Sequence, residues 1–242
     1  MQMSQLYLGL SGYSYKPWQG EGRFYPPELK QKEFLRYYAE RYGAVEMDGT
    51  WYRMPSESAV QGWLAGSPEG FRFTFKAHRD ITHLGRLKAD RLPSLKFMVD
   101  RLEPLKKAGK LAAVFMQLPP NFKRNDERLR EFFAGLPPGY PYAIEFRNET
   151  WFVPEVEALL KEFNVTWVGW DTDDVPGQRR DTGRFLYSRM RREAYTDEQL
   201  ADWAKWFRAG IDAGKDCYVF FKHEDEGSPW IDAERLRKIM DS

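Results

Sequence analysis

Glu46 and Asp48 stand two residues apart at the end of an apolar run that begins at Ala44. In a β-strand that spacing turns both carboxylates to one face while Val45 and Met47 take the other. The same interval separates Lys76 from His78 and Glu145 from Arg147, and single polar residues, Ser11, Gln117, Asp171 and Arg189, fall near the ends of other short apolar runs. Acids and bases nearly balance in this set. Such a balance suits a site in which charge pairs tune groups for proton transfer, with Glu46, Glu145 and Asp171 as catalytic candidates. It also suits a purely structural ionic network, because buried charges persist when they are paired. Both readings stand at the level of sequence.

On the functional reading, Lys76, Arg147 and Arg189 would hold an anionic group, and Ser11, Asp48, His78 and Gln117 would complete a polar substrate surface. Tyr13, Trp18, Trp51, Tyr52 and Trp151 follow the apolar runs and would supply aromatic walls. Hydrolase, lyase and isomerase chemistry all fit such a set. Glycoside cleavage by Glu46 and Glu145 depends on a carboxyl separation that only geometry gives. Nucleophilic catalysis has little support: Ser11 lacks the Gly-x-Ser-x-Gly elbow, and Cys217, the one cysteine, opens an apolar run where packing is the expected role. No cofactor is predicted. A divalent metal would need Glu46, Glu145, Asp171 and His223 to converge, in competition with Lys76, Arg147 and Arg189. Only His78, His83 and His223 are available as imidazole ligands, without His-x-x-x-His spacing.

The 242 residues carry 37 Lys and Arg against 36 Asp and Glu, a net charge of +1, which excludes wholesale coating of nucleic acid. Two local basic segments keep nucleic acid as the alternative partner to a small molecule. One holds Arg72, Lys76, Arg79, Arg86, Lys88 and Arg91, and the other Arg179, Arg180, Arg184, Arg189, Arg191 and Arg192. Hydrophobic content of 42% with 30% charged residues is that of a soluble globular chain. The start lacks a charged-then-apolar leader pattern and no apolar run approaches membrane-spanning length, so no membrane partner and a cytoplasmic location are expected. Oligomeric state is not legible.

The elements that must position these residues alternate. Apolar runs at Leu6–Ser11, the opening of Ala44–Pro55, Phe71–Ala77, Leu111–Leu118, Tyr142–Phe146, Val165–Trp170, Phe185–Met190 and Cys217–Phe221 read as strands. Helical stripes separate them, among them Leu95, Met98, Val99, Leu102 and Leu105 before Gly109, and Leu200, Trp203, Ala204 and Phe207 behind a Thr196–Gln199 capping box. Between the sixth and seventh strands, residues 172–183 are polar and contain Pro176 and Gly177, so the helix there is weak or missing. Eight strands alternating with about seven helices predict an α/β fold, a single (β/α)8 TIM-type barrel over residues 1–242, with an open doubly wound sheet as the other solution. In a barrel these polar residues gather mostly near the C-terminal ends of the strands. The inward face stays ambiguous on the sixth and eighth strands.

A set of short motifs occurs in order: Gly9-Leu-Ser-Gly-Tyr-Ser-Tyr, Trp18, Phe24-Tyr25-Pro26, Val45-Glu46, Trp51-Tyr52-Arg53-Met54-Pro55, Phe73 to Lys76, Thr82-His83, Gln117-Leu118-Pro119-Pro120, and Glu145-Phe146-Arg147 with Trp151. Together they resemble the DUF72, or YecE-like, family along nearly the whole chain. The resemblance implies a TIM-type barrel and carries Glu46, Lys76, Gln117, Glu145, Arg147 and Asp171 over as mouth residues, but it implies no reaction. Fold likeness of that family to metal-dependent DNA-repair endonucleases and sugar isomerases is analogy. The chain departs from the family pattern at Asp48, where Asn is usual, at Arg191-Arg192, and at Lys222-His223, so no role is carried over to the last two.

Overall fold

The alternation becomes, in a computed structural model that describes residues 4–222 and 228–242, a closed barrel of eight parallel strands in sequence order. The strands are β1 (Leu6–Ser11), β2 (Ala44–Met47), β3 (Arg72–Lys76), β4 (Leu111–Gln117), β5 (Tyr142–Glu145), β6 (Thr166–Trp170), β7 (Leu186–Met190) and β8 (Cys217–Phe221). Closure comes from the pairing of β8 with β1, which matches Leu6 to Cys217 and Leu10 to Phe221. The helices are α1 (Phe34–Ala39), α2 (Glu57–Ala65), α3 (Leu92–Lys107), α4 (Asp126–Ala134), α5 (Pro154–Glu162), α6 (Asp197–Asp212) and α7 (Pro229–Asp241).

Local sequence explains where these elements start and stop. The Ser56 side chain accepts from the Ala59 amide, Asn125 accepts from the Arg128 amide, and Thr196 and Gln199 form the reciprocal capping box of α6. Gly109 takes a φ of +68° just past α3, a conformation that suits glycine. The β6–β7 connection has no helix. Thr182 instead lies along β6, its hydroxyl donating to the Val165 carbonyl at 2.8 Å and accepting from the Trp167 amide at 2.8 Å. Gln178 makes an antiparallel bridge to Trp170. The backbone N–H and carbonyl of Gln178 are thus satisfied on the strand rather than inside a helix.

Two apolar layers follow from strand alternation. The larger lies between strands and helices; there Phe71, Phe73 and Phe75 are buried, and Trp63 packs on the last two. The smaller fills the lumen with Tyr7, Ala44, Ala113, Phe115, Ala143, Val168, Tyr187, Tyr218 and Phe220. Tyr7 stacks on Tyr218 at 5.0 Å, and small alanines opposite large rings leave the lower barrel as packed core. Val168 and Phe220 therefore face in, which settles the two ambiguous strands. Trp170 and Lys222 share the inward parity, and Asp171 takes the outward one.

Candidate active site at the barrel mouth

Above the aromatic lumen, one guanidinium joins two carboxylates across the barrel. Arg189, on β7, donates through Nη2 to Glu46 Oε1 at 2.8 Å and through Nε to both Glu46 oxygens at 3.0 Å. Its Nη1 donates to Glu145 Oε2 at 3.0 Å. All three side chains are fully buried. The remaining oxygen valences are filled as well. Ser11 and Tyr187 donate their hydroxyls to Glu46 at 2.7 and 2.5 Å, Gln117 donates to Glu145 at 2.8 Å, and the Arg147 guanidinium pairs with Glu145 from the mouth side. Thr74 bonds the Tyr187 hydroxyl at 2.9 Å.

The charges respond accordingly. Burial would raise the Glu145 carboxyl, but Arg147, Arg189, Arg191 and the Gln117 hydrogen bond together hold it well below the usual carboxylate range. Burial pushes Glu46 above its ordinary value, with Arg189 pulling it back and Asp48 adding to the rise. Arg189 would be lowered by burial, but Glu46, Glu145 and Asp48 outweigh that and keep it firmly protonated. Glu145 is thus a fixed anion whose lone pairs are in use, suited to orienting Arg147 and Arg189. Neither glutamate lines the open cavity above.

That cavity has a volume of about 360 Å³ and is lined by Lys76, His83, Gln117, Arg147, Trp170, Thr172, Val175, Arg189, Arg191 and Lys222, with Leu118 and Pro120 at its edge. Five Lys and Arg residues and His83 line it, and among the described lining residues there is no carboxylate. Arg147 lies over the Trp170 ring, its Cζ 4.3 Å from the centroid, and the Trp170 indole N–H is anchored on the Phe146 carbonyl at 2.9 Å. Trp51 backs the other wall. Its ring lies 5.6 Å from Lys76 Nζ, and its indole N–H donates to His83 Nδ1 at 3.3 Å. Indole is a donor only, so Nδ1 is an acceptor and the neutral ring carries its proton on Nε2. Burial, then Lys76 and Arg86, lower the pKa of His83; burial, only partly offset by Asp48, lowers that of Lys76. A larger cavity of about 600 Å³, lined by Pro137, Pro138, Tyr140, Phe163 and Arg184, opens at the other end, beside the start of β5. The C-terminal end is where barrel enzymes place their sites, and the buried Glu46–Arg189–Glu145 group lies at that end.

The expected residues do not all meet there. Ser11, Glu46, Glu145, Gln117, Lys76, Arg147 and Arg189 come together as one cluster. Asp48 begins a short 3-10 turn after β2 and still reaches Arg189, with Oδ1 3.7 Å from Nη2. Asp171 is elsewhere: it accepts from Tyr195 at 2.5 Å, Trp203 Nε1 at 3.0 Å and Arg192 Nε at 3.1 Å, so its carboxylate joins β6 to α6 outside the lumen. Trp18 and Trp151 are buried core rings, Trp18 against Phe24 and Trp230, Trp151 stacked on Phe146 and donating to the Phe122 carbonyl at 2.7 Å. Tyr13 packs towards Tyr38 and the helix layer. His78 bonds the Asp80 amide and the Tyr52 carbonyl and so shapes its own loop. Tyr52 is 68% exposed beside Trp51.

His83 and Trp170 complete the cavity and were not singled out from sequence; the Thr82-His83 motif was the available signal for the first. Of the loop arginines, Arg179, Arg180 and Arg192 are paired with Asp202, Glu157 and Asp171. Among the described residues no three His, Cys, Asp or Glu side chains converge as a metal-ligand group, and His223 lies outside the described residues. No helix among the described residues is long and apolar enough to cross a membrane.

Comparison with known proteins adds kinship. A family model described as "Protein of unknown function DUF72" matches residues 7–242. UPF0759 protein YunF of Bacillus subtilis is 24% identical over 98% of this chain and 95% of its own length. UPF0759 protein YecE of Escherichia coli K12 is 30% identical over 61% of this chain and 50% of its own length. The crystal structure of a DUF72 family protein from Thermotoga maritima superposes with a TM-score of 0.80 at 27% identity, covering 98% of this chain and 100% of that one.

Proposed function

We propose, from the premise that this chain belongs to the DUF72 family of proteins of unknown function, that its barrel binds a small anionic metabolite at the C-terminal mouth and acts on it by acid/base chemistry. The observation that carries this reading is the cavity of about 360 Å³ with five Lys and Arg residues and no carboxylate among its described lining residues. A phosphate or carboxylate group seated there meets Arg147, which Glu145 and the Trp170 face hold in one orientation, while the fully buried Arg189 fixes Glu145 from below. A preorganised guanidinium loses little entropy on binding and can present paired N–H groups to such an anion. Near the reacting end, His83 offers an Nε2 proton and Lys76 an amine whose pKa is lowered, both groups with proton-transfer capacity that face the cavity. Glu46 and Glu145 serve as positioning anions.

Calorimetry with inorganic phosphate at low ionic strength tests the reading. Native protein is expected to bind, and Arg147→Gln to bind about 10- to 100-fold more weakly, the loss of one charge-assisted contact. Absence of binding by phosphate and by simple carboxylates would sink the proposal. The nucleic-acid reading draws less support, because three of the arginines that suggested it, Arg179, Arg180 and Arg192, are paired with neighbouring carboxylates. Retention of oligonucleotides with a steep salt dependence would reverse that order.

A further inference from the structure

We infer that Lys76 is a nucleophile that forms an imine with a carbonyl carbon of the bound anion, which makes the substrate class a small aldehyde or ketone bearing a phosphate or carboxylate group. The inference rests on the reading of the mouth as an anion site and adds the reacting group.

Lys76 closes β3 at the C-terminal end and lines the cavity. Among the described residues its ammonium makes no hydrogen bond or ion pair, whereas other partly covered lysines have partners: Lys110 bonds the Ser67 carbonyl and hydroxyl, and Lys215 pairs with Asp181. The Trp51 ring backs its Nζ at 5.6 Å, leaving the cavity as the open side. Burial favours the neutral amine, as does Arg189; Asp48, Glu46 and Glu145 oppose it, and the balance lies on the side of the neutral form relative to a free lysine. A desolvated amine beside cationic neighbours is the arrangement that makes lysine nucleophilic near neutral pH. His83 stands on the same indole, its ring centroid 5.0 Å from that of Trp51, with its Nε2 proton available to the carbonyl oxygen. Basic groups across the cavity, Arg147 and Arg191, suit the anionic end of the same ligand.

The step balances without a redox partner. The amine nitrogen bonds to the carbonyl carbon, the carbon–oxygen double bond breaks, and the oxygen leaves as water carrying the two amine protons. His83 gives a proton to the departing oxygen and recovers one from the nitrogen.

The probe is pyridoxal 5′-phosphate, an aldehyde with a phosphate, added to native protein and reduced with borohydride, which converts any imine to a stable secondary amine. Peptide mass mapping then reports labelling at each lysine. Lys76 is expected to be labelled about tenfold or more faster than the exposed Lys107 and Lys161, the advantage of an amine that burial holds towards its neutral form in an anion-binding mouth, and pyridoxal without phosphate is expected to lose that preference. Lys76→Met should remove the fast phase and leave the slow labelling intact. Labelling of Lys76 no faster than Lys107 and Lys161 would overturn the inference even if calorimetry shows that phosphate binds, so the two proposals fail separately. The mapping uses native protein and does not depend on the variant folding.

Discussion

Arg189 spends its guanidinium on Glu46 and Glu145 together, so each glutamate has the same cation as a condition of its burial. Removing one partner from such a group leaves an uncompensated charge, a loss of about 3–5 kcal/mol. Glu145→Ala is expected to lose that much in urea unfolding, and Glu145→Gln somewhat less because its amide oxygen still accepts. A loss near zero would show that the network is not holding the mouth. The pH dependence has a definite sign. Glu145, depressed when folded, contributes stability that is complete above its ordinary value of 4.5 and is lost as pH falls towards its folded value. Glu46, raised when folded, contributes below that value and loses its share as pH rises through its own folded pKa. The difference in urea midpoint between native protein and Glu145→Gln should therefore be largest near neutrality and shrink below pH 4.5.

At the scale of elements, the seam between β1 and β2 shows how a side chain can complete a sheet. Gly9 pairs with Ala44, and a Cβ on Gly9 would come within 2.0 Å of the Ala44 carbonyl oxygen. The Tyr38 hydroxyl, sent down from α1, accepts from the Leu10 amide at 2.6 Å and donates to that same carbonyl at 2.9 Å. Tyr38→Phe leaves the amide without its acceptor, and the expected loss is about 1–3 kcal/mol with faster hydrogen exchange at Leu10. Unchanged exchange there would mean that the strands bond directly. This scale also explains what was legible in the sequence. Alternation on β2 and β5 pointed Glu46 and Glu145 inward because their neighbours are plainly apolar, and on β7 Arg189 shares the parity of Tyr187. β6 is apolar on both faces, Thr166 apart, so nothing in its pattern told that Asp171 would turn to Trp203 and Tyr195. His83 sits on a single π-helical turn, Asp80–Leu84, too short to show a period. Trp18 and Trp151 lie in loop segments and read as walls, yet the loops fold back over the barrel and bury them.

Across the whole molecule, the two ends of the barrel divide the labour: aromatic rings and alanines fill the lower lumen, and the C-terminal end gathers the charge. The eight-strand order and the missing crossover helix followed from the chain's alternation and from Pro176 and Gly177, whereas the cavity depended on loops whose path no periodicity encodes. The bond that spans the lumen also has a history in time. Arg189 lies 143 residues after Glu46 and 44 after Glu145, so on the ribosome both acids emerge long before their cation. Until β7 arrives, burying either carboxylate is unfavourable, and the lumen should seal late. A nascent-like fragment ending at residue 185 is expected to keep β2 and β5 open to limited proteolysis, with protection appearing once the chain extends through β8. Early protection would mean that the barrel closes around unpaired acids.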